Sequence, residues 1–373
     1  MKSGNNLTSL EIVDKGMYPV IGANGIRGYY HQYNVDGDYL FVGRQGALSG
    51  NVHHYKGKIW ATDHALITTI KNESIDFVYY ALIAMNLNQY AWRTAAQPGL
   101  AASKILSLSI PIPPLAEQEK IVSYLECKTS KIDAYVADKE KEIQLLQELK
   151  QKTIAEAVTK GLNPNVKMKD SSISWLGMIP EHWEIKKIGS LFSERREKVS
   201  DKDYPALSVS KQGITPQLET AVKTDNGDNR KKVCKDDFVV NSRSDRKGSC
   251  GVSPYTGSVS LINIVLSPRK NIEVQYFHHL FRSNDYIEEY YRIGRGIVAD
   301  LWTTRYSEMR NIMVPLPPLG EQQSIVAYIE EKCQKIDTLI TELQAEIDYL
   351  KEYKQRLIAD VVTGQVNVQN ETI

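Results

Sequence analysis

The string "IPIPPLAEQEKIVSYLE" at residues 110–126 returns 204 positions later as "VPLPPLGEQQSIVAYIE" at residues 314–330. The match continues beyond it, because "KID" at 131–133 and "VT" at 158–159 recur at the same offset. An internal repeat must be considered before any single element, since each copy is expected to fold alike. The chain is therefore predicted to consist of two halves, each a variable segment followed by a copied one.

Each repeated string predicts the start of a long helix. A Pro-Pro pair is excluded from a helix interior but suits its entrance. Glu117 and Glu321 then fall in the first turn, where the helix dipole favours negative charge. Gly161 and Gly364 mark the predicted ends. About 45 residues lie between these limits, so each helix is expected to be roughly 67 Å long.

An apolar stripe runs along each predicted helix. Its isoleucines, spaced eleven apart, are Ile121, Ile132, Ile143, Ile154, Ile325, Ile336, Ile347 and Ile358. Eleven residues in three turns is close to the natural helical period, so each stripe stays almost straight. We interpret the two stripes as one interhelical seam. The alternative is that each helix packs on its own domain.

The segments before the helices alternate strand-like runs with Gly, Asn and Asp turns. The predicted strands include "YLFVG", "ALITTI", "DFVVNS" and "SLINIVLS", and the predicted helices are "DFVYYALIAMNLNQY" and "VQYFHHLFRSNDYIEEYYR". The predicted fold class is α+β: two loop-rich domains separated by two long helices that form an antiparallel coiled coil, with a pseudo-two-fold internal repeat. The predicted boundaries are 1–110 and 164–314 for the domains, 111–163 and 315–366 for the helices, and 367–373 for a C-terminal tail.

Composition excludes several classes of protein. The 373 residues are 42% hydrophobic and 24% charged, which is typical of two or three globular domains. The net charge of +1 gives no whole-chain argument for a polyanionic partner. No apolar run approaches the roughly 20 residues of a membrane span, and the first residues do not form a signal peptide, so we expect a cytoplasmic protein.

Catalytic, cofactor and metal motifs are also missing from the sequence. The four cysteines form no C-x-x-C and the histidines lack metal-ligand spacing, so reduced thiols and no metal are expected. There is no G-x-x-x-x-G-K-[ST] loop and no motif of a self-contained methyltransferase. We therefore predict no catalytic residues and no cofactor.

Three sets of motifs resemble the specificity subunit of type I DNA restriction–modification systems. The first is the "PxPPLxEQxxIV" helix start at 111–122 and 315–326, and the second is "SWLGMIPEHWE" at 174–184. In the first domain, "YPVIGANGIRGYY", "VGRQGALSGNVH" and "WATDHAL" resemble a common version of the family's target recognition domain. The resemblance covers essentially the whole chain.

This resemblance implies a DNA-binding protein without catalytic activity. Each recognition domain would read one half of a split site in double-stranded DNA. The paired helices would set the gap and bind two methyltransferase subunits, which motor–nuclease subunits join, with no membrane partner. The counterpart of "HWEIKKIGSLF" does not precede the first domain, so that domain is expected to be N-terminally short. The alternatives are a truncated or regulatory specificity protein, or a coiled-coil scaffold without DNA recognition.

Candidate DNA contacts are polar side chains in Gly-rich or basic loops, because Arg reads guanine and Asn or Gln reads adenine. In the first domain they are Asn24, Arg27, Arg44, Gln45, Asn51 and Gln97. In the second they are Ser210, Lys211, Gln212, Arg243, Arg246, Lys247 and Arg295. For Asn24 and Asn51 the alternative is a solvated turn. The run 230–232 is interpreted as solvated charge or a phosphate contact.

Overall fold

The computed structural model describes residues 1–92, 99–217, 227–269, 271–296 and 302–371. The chain forms two compact units. The first unit contains Met1–Glu142 and Glu342–Ile373, and the second contains Ile143–Thr341. Each unit therefore combines one predicted recognition domain with parts of both long helices.

Eight α-helices lie in the described part of the chain. They are α1 (Ile75–Ala84), α2 (Ala102–Leu106), α3 (Leu115–Lys160), α4 (Ile188–Leu191), α5 (Val274–Phe281), α6 (Asn284–Arg292), α7 (Tyr306–Met309) and α8 (Leu319–Val362). Short 3-10 helices lie at Ser9–Glu11, Leu87–Tyr90 and Ser244–Arg246.

The strands of the first unit form one sheet. They are β1 (Lys2–Ser3), β2 (Tyr18–Gly22), β3 (Gly25–Tyr30), β4 (Val35–Gly43), β5 (Val52–Ala61) and β6 (Ala65–Thr68), in the order β1-β6-β4-β5-β2-β3. Neighbouring strands are antiparallel except β2 and β5, which run parallel. Side chains of β4 alternate between two cores: Leu40 and Val42 pack with α1, whereas Phe41 packs on the opposite face. Because both faces are covered there, residues 39–42 of this strand form a continuous apolar run.

The second unit carries several smaller sheets. Its strands are β7 (Met168–Asp170), β8 (Met178–Pro180), β9 (Glu184–Lys187), β10 (Phe192–Glu194), β11 (Lys198–Val199), β12 (Leu207–Ser210), β13 (Gly213–Pro216), β14 (Arg230–Val233), β15 (Phe238–Asn241), β16 (Cys250–Val252), β17 (Gly257–Val259), β18 (Asn263–Pro268) and β19 (Met313–Leu316). The largest sheet has the order β10-β18-β15-β16, and β11-β14-β17 forms another. Phe238 and Val240 of β15 face the main core with α5 and α6, while Val239 faces a smaller one.

The long helices begin and end where the prolines and glycines predict. The carbonyls of Pro114 and Pro318 accept the first hydrogen bonds of α3 and α8. The helices run for 46 and 44 residues. Gly161 and Gly364 follow them with φ of 73° and 75°, a left-handed conformation that favours glycine.

In the first unit the two long helices pair antiparallel. Asp133 pairs with Lys354 at 2.7 Å and Glu140 pairs with Lys351 at 3.2 Å, so residue numbers rise along α3 as they fall along α8. The beginning of α3 and the end of α8 also share an apolar core, which contains Ile121 and its partner Ile358.

The second unit has its own antiparallel contact between the two helices. Lys150 pairs with Asp337 at 2.6 Å. Further along, Ile154 and Val158 near the end of α3 share a core with Ile325 near the start of α8.

The predicted seam positions differ in burial. Ile121, Ile325, Ile347 and Ile358 are buried. Ile132, Ile143, Ile154 and Ile336 are half-buried. Burial along the stripe is therefore uneven: Ile121, Ile325 and Ile358 belong to domain cores, whereas Ile347 is buried in the middle part of α8.

Both predicted domain helices are wrong in extent. The predicted helix 76–90 is α-helical only to Ala84, because Asn86 adopts a left-handed conformation with φ of 45°. The stretch 274–292 forms α5 and α6, with a break at Arg282 and Ser283. Ser283 directs its hydroxyl to the Leu280 carbonyl at 2.7 Å and starts α6 as its N-cap residue. Ser and Asn favour helix entrances over helix interiors, which explains the break.

Neither a membrane span nor a metal cluster is found within the described ranges. None of the helices there combines the length and the apolar character that crossing a membrane needs. No cluster of three or more His, Cys, Asp or Glu side chains is placed there to hold a metal ion. All four cysteines are free thiols.

Candidate nucleic-acid interface

The 242–249 loop of the second unit connects β15 to β16 and carries three of the predicted contacts. Arg243 and Arg295 each form a backbone bridge with Thr303, so two predicted arginines flank the same residue. The hydroxyl of Tyr291 donates to the carbonyl of Arg246 at 3.3 Å. The loop is thus held against α6 and the segment before α7. This arrangement brings together four predicted cationic residues: Arg243, Arg246, Lys247 and Arg295.

These side chains differ in what they already bind. The Arg243 guanidinium forms two hydrogen bonds with the Asp245 carboxylate, at 2.8 and 3.0 Å. Lys247 Nζ donates to Glu288 at 2.6 Å. Arg246 is 66% exposed and its Nε lies 3.8 Å from Asp245. Arg246 is therefore the most available guanidinium of this loop.

The β12–β13 hairpin places Ser210, Lys211 and Gln212 at its turn. Gln212 N donates to Ser210 Oγ at 3.2 Å, so Ser210 stabilises the turn, while Lys211 and Gln212 are exposed. Arg282 donates to the Lys211 carbonyl at 2.6 Å and to the Cys250 carbonyl at 2.9 Å. Since Cys250 directly follows the 242–249 loop, Arg282 holds the hairpin turn beside it. No sequence pattern indicated this role, because Arg282 falls inside a predicted helix.

A cationic groove of about 510 Å³ lies next to the same loop. Arg196, Lys198, Lys231 and Arg305 line it, with Glu194 as a counter-charge. Glu194 pairs with Arg196 at 2.7 Å and with Lys231 at 3.1 Å. The sequence analysis missed Arg196, Lys198 and Arg305, although the basic run "ERREK" at 194–198 was an available signal for the first two.

The sequence indicates solvated charge or a phosphate contact for the run 230–232, and the structure contradicts the first of these readings. Arg230 is only 5% exposed and donates to Ser258 Oγ at 2.9 Å. Burial lowers the pKa of its guanidinium. Lys232 pairs with Glu197 at 2.9 Å. Because β14 is the middle strand of its sheet, Arg230 and Lys232 serve the fold, whereas Lys231 also lines the cationic groove.

Two adjacent histidines lie behind β16. His278 Nδ1 accepts a hydrogen bond from Val252 N at 3.1 Å. Burial, with His279 and Arg282 nearby, lowers the pKa of His278 to about 3. Burial and the Arg282 charge lower the pKa of His279 to about 4. Both rings are therefore neutral at pH 7 and support the strand without adding charge to the site.

In the first unit, two Gly-rich loops come together at one end of the sheet. Asn51 Nδ2 donates to Asn24 Oδ1 at 2.6 Å. A Cβ on Gly43 would lie 2.3 Å from the Ala23 carbonyl oxygen, so only glycine permits this approach. Arg27 is exposed on β3 beside the turn. The structure thus joins Asn24, Asn51 and Arg27 in one region.

Arg44 and Gln45 lie on the loop after β4. The Arg44 guanidinium donates to Ser3 Oγ at 3.2 Å and to the Asp63 carbonyl at 3.4 Å, so it ties the loop to neighbouring segments. Gln45 pairs through its backbone with Gly99. The prediction for Gln97 lies outside the described residues.

The chain belongs to the family of type I restriction modification DNA specificity domains, whose profile matches residues 1–155 and 180–349. The two matched segments fall in the two halves of the internal repeat. Members of this family are non-catalytic DNA-recognition subunits.

Among curated proteins, the chain is similar to the specificity subunit of the type I restriction enzyme EcoprrI of Escherichia coli. The two are 40% identical over 131 residues, which are 34% of this chain and only 32% of that protein. A putative type I specificity subunit, MjaX of Methanocaldococcus jannaschii, is 26% identical over 86% of this chain and 76% of its own length. The EcoBI specificity subunit of Escherichia coli is 23% identical over 99% and 81%.

A solved structure has a similar fold. It comes from work on complex assembly and conformational transition of the type I R-M system, with a TM-score of 0.67 at 16% identity. The similarity covers 98% of this chain and 95% of that one. The similarity supports a mixed α+β fold with two long helices.

Proposed function

We propose that this chain selects the DNA target of a type I restriction–modification complex. Each recognition domain, 1–110 and 164–314, reads one half of a bipartite site. The helical segments 111–163 and 315–366 form an antiparallel coiled coil that sets the gap between the half-sites.

The observation that carries this proposal is a pair of repeat-related ion pairs. Asp133 binds Lys354 in the first unit, and Lys150 binds Asp337 in the second. With the offset of 204, Asp133 corresponds to Asp337 and Lys150 corresponds to Lys354. When residue i contacts residue j and their equivalents contact in return, the two copies are related by two-fold symmetry. This reciprocity supports a pseudo-two-fold arrangement of the two repeats.

The half-site readers of the second domain are the 242–249 loop, the hairpin turn at 210–212 and Arg295. Their guanidinium, ammonium and amide groups suit base edges and phosphates. The cationic groove beside the loop adds phosphate contacts. In the first domain the readers are Asn24, Arg27, Asn51, Arg44, Gln45 and Gln97.

Partner subunits dock on the long helices. Exposed apolar side chains on these helices include Leu145, Leu149, Tyr349 and Tyr353, and Tyr349 is 69% exposed. Large exposed apolar side chains on an otherwise charged helix are typical of interaction surfaces. Two methyltransferase subunits bind there, and the motor–nuclease subunits join through them.

Reconstitution tests this function directly. The purified chain is mixed with its cognate methyltransferase subunits, and methyl transfer from S-adenosylmethionine to genomic DNA is mapped by sequencing. We expect no methylation by either component alone and one bipartite methylated motif with both. Methyl transfer by the rigorously purified chain alone, or a complex that methylates without sequence preference, would contradict the proposal.

A further inference from the structure

Gln118 is a buried polar side chain at the start of α3, and its carboxamide joins three segments of the first unit. It has no exposed surface. Its Oε1 accepts from the backbone N of Ser74 at 3.0 Å. Its Nε2 donates to the carbonyl of Pro113 at 2.8 Å and to Glu73 Oε2 at 2.6 Å. The start of the long helix, the proline turn and the entrance of α1 therefore meet at one amide.

Gln322, the repeat equivalent of Gln118, makes the same connection in the second unit. It is 2% exposed. Its Oε1 accepts from the backbone N of Glu273 at 2.9 Å, and its Nε2 donates to the carbonyl of Pro317 at 2.8 Å. The recognition domains around these two glutamines have diverged in sequence, yet the hydrogen bonds to the N-cap N–H and to the proline carbonyl agree.

The two residues that donate a backbone N–H to these glutamines hold equivalent positions. Ser74 is the N-cap residue of α1 and Glu273 is the N-cap residue of α5. In a capping box, a Glu or Gln three residues into the helix accepts from the N-cap N–H. Here those positions are Phe77 and Tyr276, which cannot do so. The glutamine of the long helix satisfies the N-cap N–H instead.

The chemistry at this junction requires a glutamine of this length. A carboxylate could accept from the N-cap N–H but could not donate to the proline carbonyl. An apolar side chain would leave both backbone groups buried and unsatisfied, which is costly. Each junction thus couples the direction of a long helix to the domain helix beside it.

We propose that Gln118 and Gln322 are positioning residues that fix the angle at which each long helix leaves its recognition domain, and with it the gap between half-sites. The part of this inference that concerns DNA rests on the proposed function. The part that concerns domain orientation does not.

The experiment uses the full chain with Gln118→Met and Gln322→Met, which keep the side-chain length but remove both hydrogen-bonding groups. Gln323→Met, at an exposed neighbouring position, is the matched control. Spin labels on non-canonical amino acids at Lys56 and Lys202, both highly exposed, report the distance between the recognition domains without altering the native cysteines. Hydrogen exchange at Ser74 and Glu273 reports whether each junction has opened.

We expect each variant to lose amide protection at its own junction and to widen the distribution of distances between the two spin labels at least twofold. We expect the control, Gln323→Met, to change neither readout. In DNA selection the half-site sequences should persist. Discrimination against gaps one base pair longer or shorter should fall about tenfold, which corresponds to about 1.4 kcal/mol.

Open junctions with unchanged distance distributions and unchanged gap selectivity would overturn the inference. A variant that unfolds its whole unit is replaced by Gln118→Asn or Gln322→Asn, which keeps the amide but shortens its reach, and the same readouts decide. If the unaltered chain shows no gap preference, the proposed function fails. The distance distributions still test the junctions in that case.

Discussion

Arg246 and Arg243 are three residues apart, but their guanidinium groups have different partners. The Arg243 guanidinium forms two hydrogen bonds with the Asp245 carboxylate, whereas the Arg246 side chain is 66% exposed. A bidentate arginine–guanine contact contributes roughly 1–3 kcal/mol. We expect Arg246→Ala to weaken binding by that amount for one half-site only, and Arg243→Ala to have a smaller effect. Competition binding against DNA altered in either half-site measures this difference.

Asp245→Asn tests the same loop from the acidic side of the Arg243 ion pair. It removes the carboxylate that holds Arg243, so we expect tighter DNA binding and a steeper dependence of affinity on salt. Equal losses of affinity for every sequence upon Arg246→Ala would assign that residue to a phosphate. No change with any of the three variants would remove the 242–249 loop from the interface.

His278 and His279 predict how stability depends on pH. Their pKa values in the folded chain are lowered to about 3 and about 4, from an ordinary value of 6.5. As pH falls below 6.5 the unfolded chain binds protons that the folded chain does not. The free energy of unfolding is therefore highest above pH 6.5 and decreases as pH falls toward 4. The decrease is at most about 1.4 kcal/mol per pH unit for each histidine.

The measurement is urea unfolding at pH 7.5, 6.5 and 5.5. His278→Gln keeps an acceptor for Val252 N but does not titrate, so we expect it to flatten the pH dependence. His31→Gln, on an exposed residue, is the control and should not. An unaltered pH dependence in His278→Gln would show that this ring binds protons equally in the folded and the unfolded chain.

At the scale of the element, the interhelical stripe predicts graded effects of one substitution. Ile347 is 1% exposed, whereas Ile143 is half-buried. An unpaired buried carboxylate is costly, so Ile347→Asp should reduce the free energy of unfolding by roughly 3–5 kcal/mol, and Ile143→Asp by roughly 1–2 kcal/mol. Tyr349→Asp, on the exposed face, should change it by less than about 0.5 kcal/mol. Chemical denaturation measures all three, and equal effects would mean that the stripe is not a seam.

The repeat-related ion pairs predict a loss of stability that a second, compensating substitution restores. Asp337→Lys places two cations together at Lys150, and Lys150→Asp added to it restores an attractive pair. The pair is partly exposed, with Lys150 26% and Asp337 57% accessible. We therefore expect a coupling of about 0.2–1 kcal/mol that weakens with salt. The same double-mutant cycle at Asp133 and Lys354 should give a similar value, and zero coupling at both sites would contradict the pairing.

The sequence predicts some elements well for physical reasons that act locally. Proline geometry and glycine conformation determine where α3 and α8 begin and end, and both signals are readable from the chain alone. The break before α6 was readable from Ser283 and Asn284, which favour a helix start, whereas the role of Arg282 was not, because its guanidinium binds a carbonyl in a distant hairpin. Arg230 was misread for a similar reason: its burial follows from the position of β14 within a sheet.

At the scale of the whole molecule, helix length should determine the gap between half-sites. Four residues inserted after both Ile143 and Ile347 lengthen each helix by about 6 Å and rotate it by about 40°. Two base pairs span about 6.8 Å and turn the duplex by about 70°, a difference that modest twisting can absorb. We expect the gap to grow by about two base pairs.

An eleven-residue insertion at the same positions serves as the contrasting variant. It nearly preserves the helix face but adds about 16 Å, close to five base pairs. The second half-site then lies on the opposite side of the duplex. We expect this variant to bind neither the original nor the lengthened gap well, as measured by competition binding.

The most direct measurement is a DNA selection with randomised half-sites and randomised gap lengths, carried out on the complex of the unaltered chain and on the four-residue insertion variant. We predict two separated half-sites with one preferred gap for the unaltered chain. For the insertion variant we predict the same half-sites with a gap about two base pairs longer. A single contiguous motif, or an unchanged gap in the insertion variant, would contradict a role of the two helices as a spacer between two DNA-reading domains.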